Sequence, residues 1–192
     1  PILANRRVQA GQTIRFALPA DGPGVEPQPE IPVRVVYEDA FAVVLEKPPH
    51  LAVHPTLNYP RDTLANGYAA WAAAHGESPV FRPVNRIDKD TSGLLVVAKD
   101  DATHIGLSQQ MAVHSVERAY NTIVYGGFAQ DEGFVESNLG RSKTDRKKMA
   151  VYPSTEPHTK YAYTGYKVLE RLGEFTLLEC RLKTGRTHQI RV

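Results

Sequence analysis

The strongest constraint on the fold is a series of strand patterns that fills residues 117–185 with no helical pattern between them. Each run is rich in β-branched and aromatic residues and is bounded by turn formers: ERAYNTIVYG, KKMAVYP, TKYAYTGYKVLER and FTLLECRLKTG. Short runs of this composition are typical of strands. An earlier pair, VRVVYED and AVVLEKP, predicts a hairpin, although its short apolar blocks also suit parallel pairing.

Two segments ahead of this series show helical patterns. Residues 62–76, DTLANGYAAWAAAHG, predict a helix with Asp62 as its N-cap and Gly76 as its stop. Residues 101–115 predict a second helix with a partial apolar stripe. Helices laid on such a series of strands indicate an α+β fold, with a mixed, largely antiparallel sheet and flanking helices.

Composition limits the class of protein. The 192 residues, 42% of them hydrophobic and 23% charged, support one globular domain with a small appendage. The net charge of +2 excludes a general polycation, so nucleic-acid binding would need a local basic patch. The single cysteine, Cys180, has no partner for an internal disulfide, and no apolar run approaches the roughly 18 residues of a membrane helix. We therefore expect a cytoplasmic protein.

The sequence divides into three parts. Residues 1–18 end in a strand-like run that is typical of the close of another unit. Residues 19–32 are rich in proline and glycine and predict a semi-rigid linker. Residues 33–192 should therefore hold the function. Because the chain starts with Pro1 and stops within RTHQIRV, we expect both ends to be cut from a longer polypeptide.

The segment NRIDKDTSGLLVVAKD, residues 85–100, has two aspartates that several chemistries could use. A calcium loop starting at Asp88 would need glutamate at its twelfth position, which here is Lys99. A phosphate-accepting pair would need magnesium and further carboxylates on a parallel sheet. A glycosidase would place its two acids on opposite sides of a sugar, usually from different elements. Asp88 and Asp90 belong to one short segment rather than to different elements, so only one of them is expected to be chemical.

A structural interpretation covers part of this segment. Asp90, Thr91, Ser92 and Gly93 are turn formers ahead of an apolar strand, and a turn explains them without any function. Asp88 differs because Arg86 lies two residues away. We expect a carboxylate at the edge of a cleft, where cationic partners keep it ionised.

Four ordered motifs resemble those of the RluA/RluD-type RNA pseudouridine synthases. They are RPVNRIDKDTSGLLVVAK, EKPPHLAVHP, ERAYNTIVYG and LKTGRTHQIRV. The sequence departs from the family pattern at a few positions: Asn85 stands for a histidine, Ile87 for a leucine, His50 for a glycine and Arg118 for a lysine. Asn85 flanks the chemistry and bears on substrate choice, whereas Ile87 keeps an apolar side chain.

The resemblance implies the pseudouridine synthase catalytic fold and a role for each matching residue. Asp88 matches the nucleophile, which either adds to C6 of the uracil or meets C1′ of the sugar as the base departs. Tyr120 matches the tyrosine that packs on the uracil and is the candidate base for the C5 proton. Arg191 matches the arginine that pairs with the nucleophile. Ile190, beside it, is expected to supply an apolar wall against the base. Neither route requires a metal or an organic cofactor.

Substrate contacts are also implied. Arg86 matches an arginine that enters the RNA stack in place of the flipped-out nucleotide. The closing motif is expected to shape its loop and contact phosphate through Arg186, Thr187, His188 and Gln189, with His188 as a structural histidine. Arg6 and Arg7 resemble the tail of the S4-type RNA-binding domain, so residues 1–18 are interpreted as its remnant.

Residues 140–148, GRSKTDRKK, hold five cations against one aspartate. By composition alone this is equally a solvated hairpin. Beside a pseudouridine synthase cleft, we expect its cations to contact phosphates of ribosomal or transfer RNA: Arg141, Lys143, Arg146, Lys147 and Lys148. We expect the protein to be a monomer.

Two other functions stay open. One is a catalytically silent RNA-binding or RNA-folding protein, which would tolerate loss of Asp88. The other is a carboxylate hydrolase of nucleosides or sugars, which needs a second acid, and Asp90 is the only nearby candidate. Which RNA, and which uridine, the sequence does not specify.

Overall fold

The computed structural model describes residues 9–13, 25–56 and 60–192. These residues form two sheets, one with strand order β1-β2-β4-β3 and one with order β5-β9-β8-β6-β7, and all their strand pairs are antiparallel. The elements, in chain order, are β1 Arg34–Glu38, β2 Ala42–Lys47, α1 Leu64–Ala74, β3 Arg82–Pro83, β4 Gly93–Ala98, α2 Asp101–Ala112, β5 Ala119–Tyr125, β6 Glu132–Arg141, β7 Met149–Tyr152, β8 Lys160–Leu172, β9 Phe175–Leu182 and a 3₁₀ helix Gln189–Arg191. The expected antiparallel α+β architecture is confirmed.

The first sheet and α1 enclose the main core. The β1–β2 hairpin is antiparallel, as one of the two sequence alternatives has it. Along β2 every second residue is buried, so Val43 and Leu45 point toward α1 while their neighbours do not. From α1, Leu64 and Tyr68 pack against this face. Ile87 joins the same cluster, which places the segment ahead of β4 on the core.

The first turn of α1 differs by one residue from the prediction. Thr63, not Asp62, is the N-cap. The backbone N–H and the hydroxyl of Thr63 both donate to Asn66 Oδ1, at 3.1 and 2.6 Å. Asp62 instead has a left-handed backbone with φ of 61°, and its N–H donates to Gln28 Oε1 at 2.8 Å. Residue type alone thus places the cap one residue too early. The reason is that the side chain of Gln28, which is distant in sequence, accepts the hydrogen bond from the N–H of Asp62.

The segment before β1 packs onto α1. Gln28 is buried, and its backbone N–H donates to Asn66 O at 3.0 Å. Asn66 Nδ2 in turn donates to Glu26 O at 2.9 Å. The described end of the predicted linker is thus tied to the helix. Of the predicted S4-type remnant only residues 9–13 are described, and the rest lies outside the described residues, so the domain boundaries stay predictions.

Two parts of the second half were not anticipated. The sequence of β6, EGFVESNLGR, is too polar and glycine-containing for a strand pattern, yet it pairs with both β8 and β7. The second helix ends at Ala112 rather than at residue 115, and none of its residues is buried against the described part of the chain. Its apolar stripe, including Ile105 at 57% exposure, therefore does not form part of the described core.

Two helix glycines give a test of how α1 packs. A Cβ on Gly67 would lie 2.8 Å from both Cγ2 and the carbonyl oxygen of Ile31, whereas a Cβ on Gly106 of α2 meets nothing within 4 Å. Gly106→Ala should raise the free energy of unfolding by up to about 1 kcal/mol through helix propensity. Gly67→Ala should lower it by about 1 kcal/mol or more because overpacking outweighs the propensity gain. Urea denaturation measures both, and equal stabilisation would contradict the close packing of Ile31 on α1.

Candidate active site

Asp88 lies in the segment that connects β3 to β4. The side chain of Ile87 is 7% exposed and anchors this segment in the core. Immediately after it the chain turns, and Thr91 N donates to Asp88 O at 3.2 Å. The Asp88 side chain is 26% exposed, so it sits between the core and solvent. The turn therefore spans residues 88–91 and begins at Asp88, two positions earlier than the turn expected from Asp90, Thr91, Ser92 and Gly93.

A buried lysine holds this turn in place. Lys47 is fully buried at the end of β2, and its Nζ donates to Pro48 O, Leu51 O and Lys89 O at 2.8, 2.8 and 2.9 Å. Burial lowers the pKa of Lys47, while the charges of Asp90 and Asp88 raise it. No role was predicted for Lys47. The sequence feature that could have identified it is the alternation along β2, because Lys47 continues the inward face of Val43 and Leu45.

The partner of Asp88 comes from the other end of the chain. Arg191 Nη1 donates to Asp88 Oδ2 at 3.1 Å, with 103 positions between the two residues. Arg191 closes the 3₁₀ helix, which His188 precedes with a left-handed φ of 56°. A paired guanidinium fixes the orientation of the carboxylate.

Gln189 fixes the loop that carries Arg191. Its Oε1 accepts hydrogen bonds from Thr184 Oγ1 and from Arg186 N, both at 2.9 Å. Its Nε2 donates to Tyr163 O at 2.9 Å and to Thr164 Oγ1 at 3.0 Å. All four bonds are internal, so this amide shapes the loop and docks it on β8.

Tyr120 projects from β5 onto the same cleft. It is half-buried and packs against the core cluster that contains Ile87. Burial raises its pKa, the guanidinium of Arg118 lowers it, and the carboxylate of Asp88 raises it. The phenol is therefore subject to two opposing charges, one from the residue just before β5 and one from the connection between β3 and β4.

Arg118 is a second residue whose environment was not predicted. Its Nε is buried and has no hydrogen-bond partner among the described residues. Its Nη2 donates to Leu182 O only at a long 3.4 Å, and Nη1 lies 2.8 Å from where a Cβ of Gly185 would stand. Glycine at 185 thus allows the loop to pass over this guanidinium. Its position two residues before Tyr120, on the same strand face, was the available signal.

These groups line one cleft of about 370 Å³. Nine predicted site residues come together there, namely Asp88, Tyr120, Arg191, Arg86, Ile190, Arg186, Thr187, His188 and Gln189. Arg118 and Asn85 line it as well. The side-chain amide of Asn85 is hydrogen-bonded to β4: its Nδ2 donates to Leu94 O at 3.1 Å, and its Oδ1 accepts from Val96 N at 2.9 Å.

The predicted basic hairpin lies outside this cleft. It is the connection between β6 and β7, and of its five cations Arg141 lines a second cavity that adjoins the cleft. Two are ion-paired, Lys143 with Glu156 at 2.7 Å and Lys148 with Asp145 at 3.8 Å. Arg146 and Lys147 belong to the same turn and line neither cavity.

The second aspartate is separated from the first. Asp90 Oδ1 is 3.0 Å from His50 Nδ1, and this contact lowers the pKa of Asp90. It does not line the cleft. The two carboxylates thus have different partners, Arg191 and His50, which argues against a two-acid hydrolase. His50 itself has φ of 65°, a left-handed conformation at the position where the resembling family has glycine.

Two further properties concern the described residues as a whole. No group of three or more histidine, cysteine, aspartate or glutamate side chains stands close enough there to hold a metal ion. No helix in the same residues is long and apolar enough to cross a membrane.

Comparison with known proteins agrees with this fold. A family model described as RNA pseudouridylate synthase matches residues 42–192. An uncharacterised RNA pseudouridine synthase of Bacillus subtilis is 40% identical over 195 residues, which cover 100% of this chain and 63% of that protein. Ribosomal large subunit pseudouridine synthase D of Zymomonas mobilis is 45% identical over 171 residues, which cover 87% of this chain and 53% of that protein.

A solved structure supports the fold. Human RNA pseudouridylate synthase domain containing 4 matches with a TM-score of 0.67 and 24% identity, covering 82% of this chain and 62% of that one. The chain belongs to the RNA pseudouridylate synthase family. Relatives named ribosomal large subunit pseudouridine synthase D confirm the RluA/RluD type that the motifs predict. The chain spans less than two thirds of the length of these relatives.

The opposing charges around Tyr120 predict opposite pKa changes. Arg118→Met should raise the pKa of Tyr120, because a cation that favours the phenolate is lost. Asp88→Asn should lower it, because a like charge is lost. Nuclear magnetic resonance of tyrosine labelled at Cζ measures the titration, and Tyr120→Phe assigns the signal.

The matched control is Arg181→Met on β9, where the guanidinium is paired with Glu179 at 2.8 Å. It should leave the pKa of Tyr120 unchanged. Movement of the pKa in the same direction in Arg118→Met and Asp88→Asn would contradict the arrangement described.

Proposed function

We propose that this chain isomerises uridine to pseudouridine in structured RNA, with Asp88 as the nucleophile. The observation that carries the proposal is the 3.1 Å pair between Asp88 Oδ2 and Arg191 Nη1, in a cleft that Tyr120 also lines, on the fold of this family. One oriented carboxylate in a partly apolar cleft suits nucleophilic catalysis on an uncharged ring.

The reaction exchanges one bond for another at the same sugar carbon. The bond from C1′ to N1 breaks, the uracil turns, and a bond from C1′ to C5 forms. The proton on C5 leaves and N1 gains a proton, so no oxidant or co-substrate is needed. Asp88 assists either by adding to C6 of the ring or by bonding to C1′ while the base is free. Both routes use the same ionised carboxylate.

Tyr120 acts on the ring during this exchange. Because burial raises its pKa, the phenol is protonated in the resting site, and its first task is to pack against the face of the uracil. If it also takes the C5 proton, it must become a phenolate first, and Arg118 is the cation that stabilises this form. Ile190 supplies an apolar wall of the cleft.

The uridine reaches this cleft only when it leaves the RNA stack. Arg86 is exposed, lines the cleft and lies two residues before Asp88, so its guanidinium is suited to fill the gap that the extruded base leaves. Arg186 and Thr187 also line the cleft and donate to phosphate oxygens of the RNA, while Gln189 and His188 maintain the loop.

The partner is ribosomal RNA or transfer RNA. Ribosomal RNA is favoured because relatives are named ribosomal large subunit pseudouridine synthase D. The cations of the β6–β7 turn, Lys143, Arg146, Lys147 and Lys148, add sequence-independent affinity for phosphate. We also propose a cytoplasmic location and a monomeric state, in line with a single cysteine and no internal disulfide.

Pseudouridine mapping tests the proposal in the protein expressed from its native gene. Ribosomal and transfer RNA from cells that lack the gene are treated with carbodiimide and read by primer extension. Specific stops should disappear in the deletion and return with the parent gene. They should not return with Asp88→Asn, although its RNA affinity should stay within about tenfold because phosphate contacts supply binding.

Asp90→Asn is the matched control, since this aspartate is two residues away and does not line the cleft. It should restore the stops. If Asp88→Asn restores them too, the carboxylate is not the nucleophile. If no stop changes in the deletion, the silent RNA-binding function takes precedence over the enzyme.

A further inference from the structure

A second cavity of about 260 Å³ adjoins the cleft. Gly185, Arg186 and Thr187 line both cavities, so this short loop is the wall between them. The far side of the second cavity comes from β6, through Arg141, and from the start of β8, through Lys160. Anything that occupies the second cavity therefore lies across this short loop from whatever occupies the cleft.

The lining of this cavity is cationic. Arg141, Lys160 and Arg186 contribute side chains to it, together with His158, and none of the lining residues is an aspartate or glutamate. Arg141 Nη1 makes only a long 3.4 Å bond, to the carbonyl of Arg146. Within the described ranges no carboxylate comes within ion-pair distance of Lys160.

The nearest acids of this region are already engaged. Glu156 pairs with Lys143 at 2.7 Å and Asp145 with Lys148 at 3.8 Å. These pairs leave the cations of the cavity without a counter-charge of their own. A concave site with several cations and no acid is suited to an anion with several acceptor oxygens.

The walls of the cavity are fixed before any ligand arrives. Arg186 Nε donates to Tyr161 O at 2.8 Å, which orients the guanidinium while its terminal nitrogens stay available. The loop ahead of Lys160 is held by Thr159, whose Oγ1 donates to Glu156 O at 2.7 Å and accepts from Asn138 Nδ2 at 3.1 Å. A Cβ on Gly140 would lie 2.9 Å from Thr159 Cγ2, so glycine permits the close approach of β6 to this loop.

We propose that this second cavity is an RNA subsite that holds the backbone phosphate of a nucleotide next to the extruded uridine. The inference rests on the proposed function, because the uridine in the cleft defines the position of its neighbour. A phosphodiester fits because it is an anion of the right size and is covalently linked to the nucleotide across the shared loop. Lys160 and His158 become substrate contacts that the sequence motifs do not include.

Lys160→Gln tests this subsite, and Lys167→Gln is its matched control. Both lysines lie on β8, but Lys167 is paired with Glu132 at 3.1 Å on a different part of the strand. Both variants are made in the Asp88→Asn background, so that no turnover disturbs the equilibrium. Binding of a short single-stranded RNA that contains the target uridine is titrated at several potassium chloride concentrations.

Lys160→Gln should weaken binding several-fold and reduce the slope of log affinity against log salt by about 0.7, the value for one phosphate of single-stranded nucleic acid. Lys167→Gln should change neither quantity. Uridine monophosphate, which has no flanking phosphodiester, should bind equally to all variants. An unchanged salt slope in Lys160→Gln, or an equal change in Lys167→Gln, would overturn the subsite.

Isomerisation by the same variants with Asp88 intact separates the two proposals. Lys160→Gln should raise the RNA concentration needed for half-maximal rate and leave the rate at saturating RNA within about twofold, since Lys160 touches no reacting atom. A parent protein that makes no pseudouridine while Lys160→Gln alters the salt slope would refute the function and keep the subsite. An active parent, together with an unaltered salt slope in Lys160→Gln, would keep the function and refute the subsite.

Discussion

The position of the site depends on one buried ammonium group. Lys47 has three N–H donors, and each has a backbone carbonyl as its acceptor within 2.9 Å. The carbonyls belong to loops outside the strand ladder. Loss of the ammonium would remove all three of these hydrogen bonds, at a cost of about 1–3 kcal/mol for each group left buried without a donor. Because one acceptor is Lys89 O, the clamp fixes the residue that follows Asp88.

Asp88 then links the two sheets. It comes from the connection between β3 and β4, whereas Tyr120 comes from β5 and Arg191 from the helix after β9. The pair between Asp88 and Arg191 therefore forms only when both sheets are folded and the Gln189 loop is docked. A single carboxylate held in this way, with its neighbour Asp90 diverted to His50, is suited to covalent chemistry rather than to two-acid hydrolysis.

Local sequence patterns predicted those features that depend on local preference. The β1–β2 hairpin, the antiparallel strands and the turn after Asp88 follow from alternation and turn formers. The α1 cap was assigned to Asp62 and was wrong by one residue, because Gln28, 34 positions away, engages Asp62. Strand β6 was missed because its pairing with β7 and β8, rather than its composition, makes it a strand.

The candidate site was predictable mainly through its resemblance to a family. Residue spacing alone left several functions open for the segment that contains Asp88. Only the four motifs together indicated that Asp88 is the nucleophile. The sequence did not predict that Lys47 is buried, or that the buried Nε of Arg118 has no partner among the described residues. Burial of a cation is a property of the assembled fold. Alternation along β2 could have identified Lys47, since it shares the inward face of Leu45.

Release of tritium from RNA labelled at C5 of uridine tests the central claim most directly, that Asp88 performs chemistry on the uracil. The C5 hydrogen must leave in any route to pseudouridine, so its appearance in water reports the isomerisation itself. The protein from its native gene should release tritium in a single turnover, and Asp88→Asn should release none above background while still binding the RNA. Release by Asp88→Asn at the rate of the parent would contradict the account.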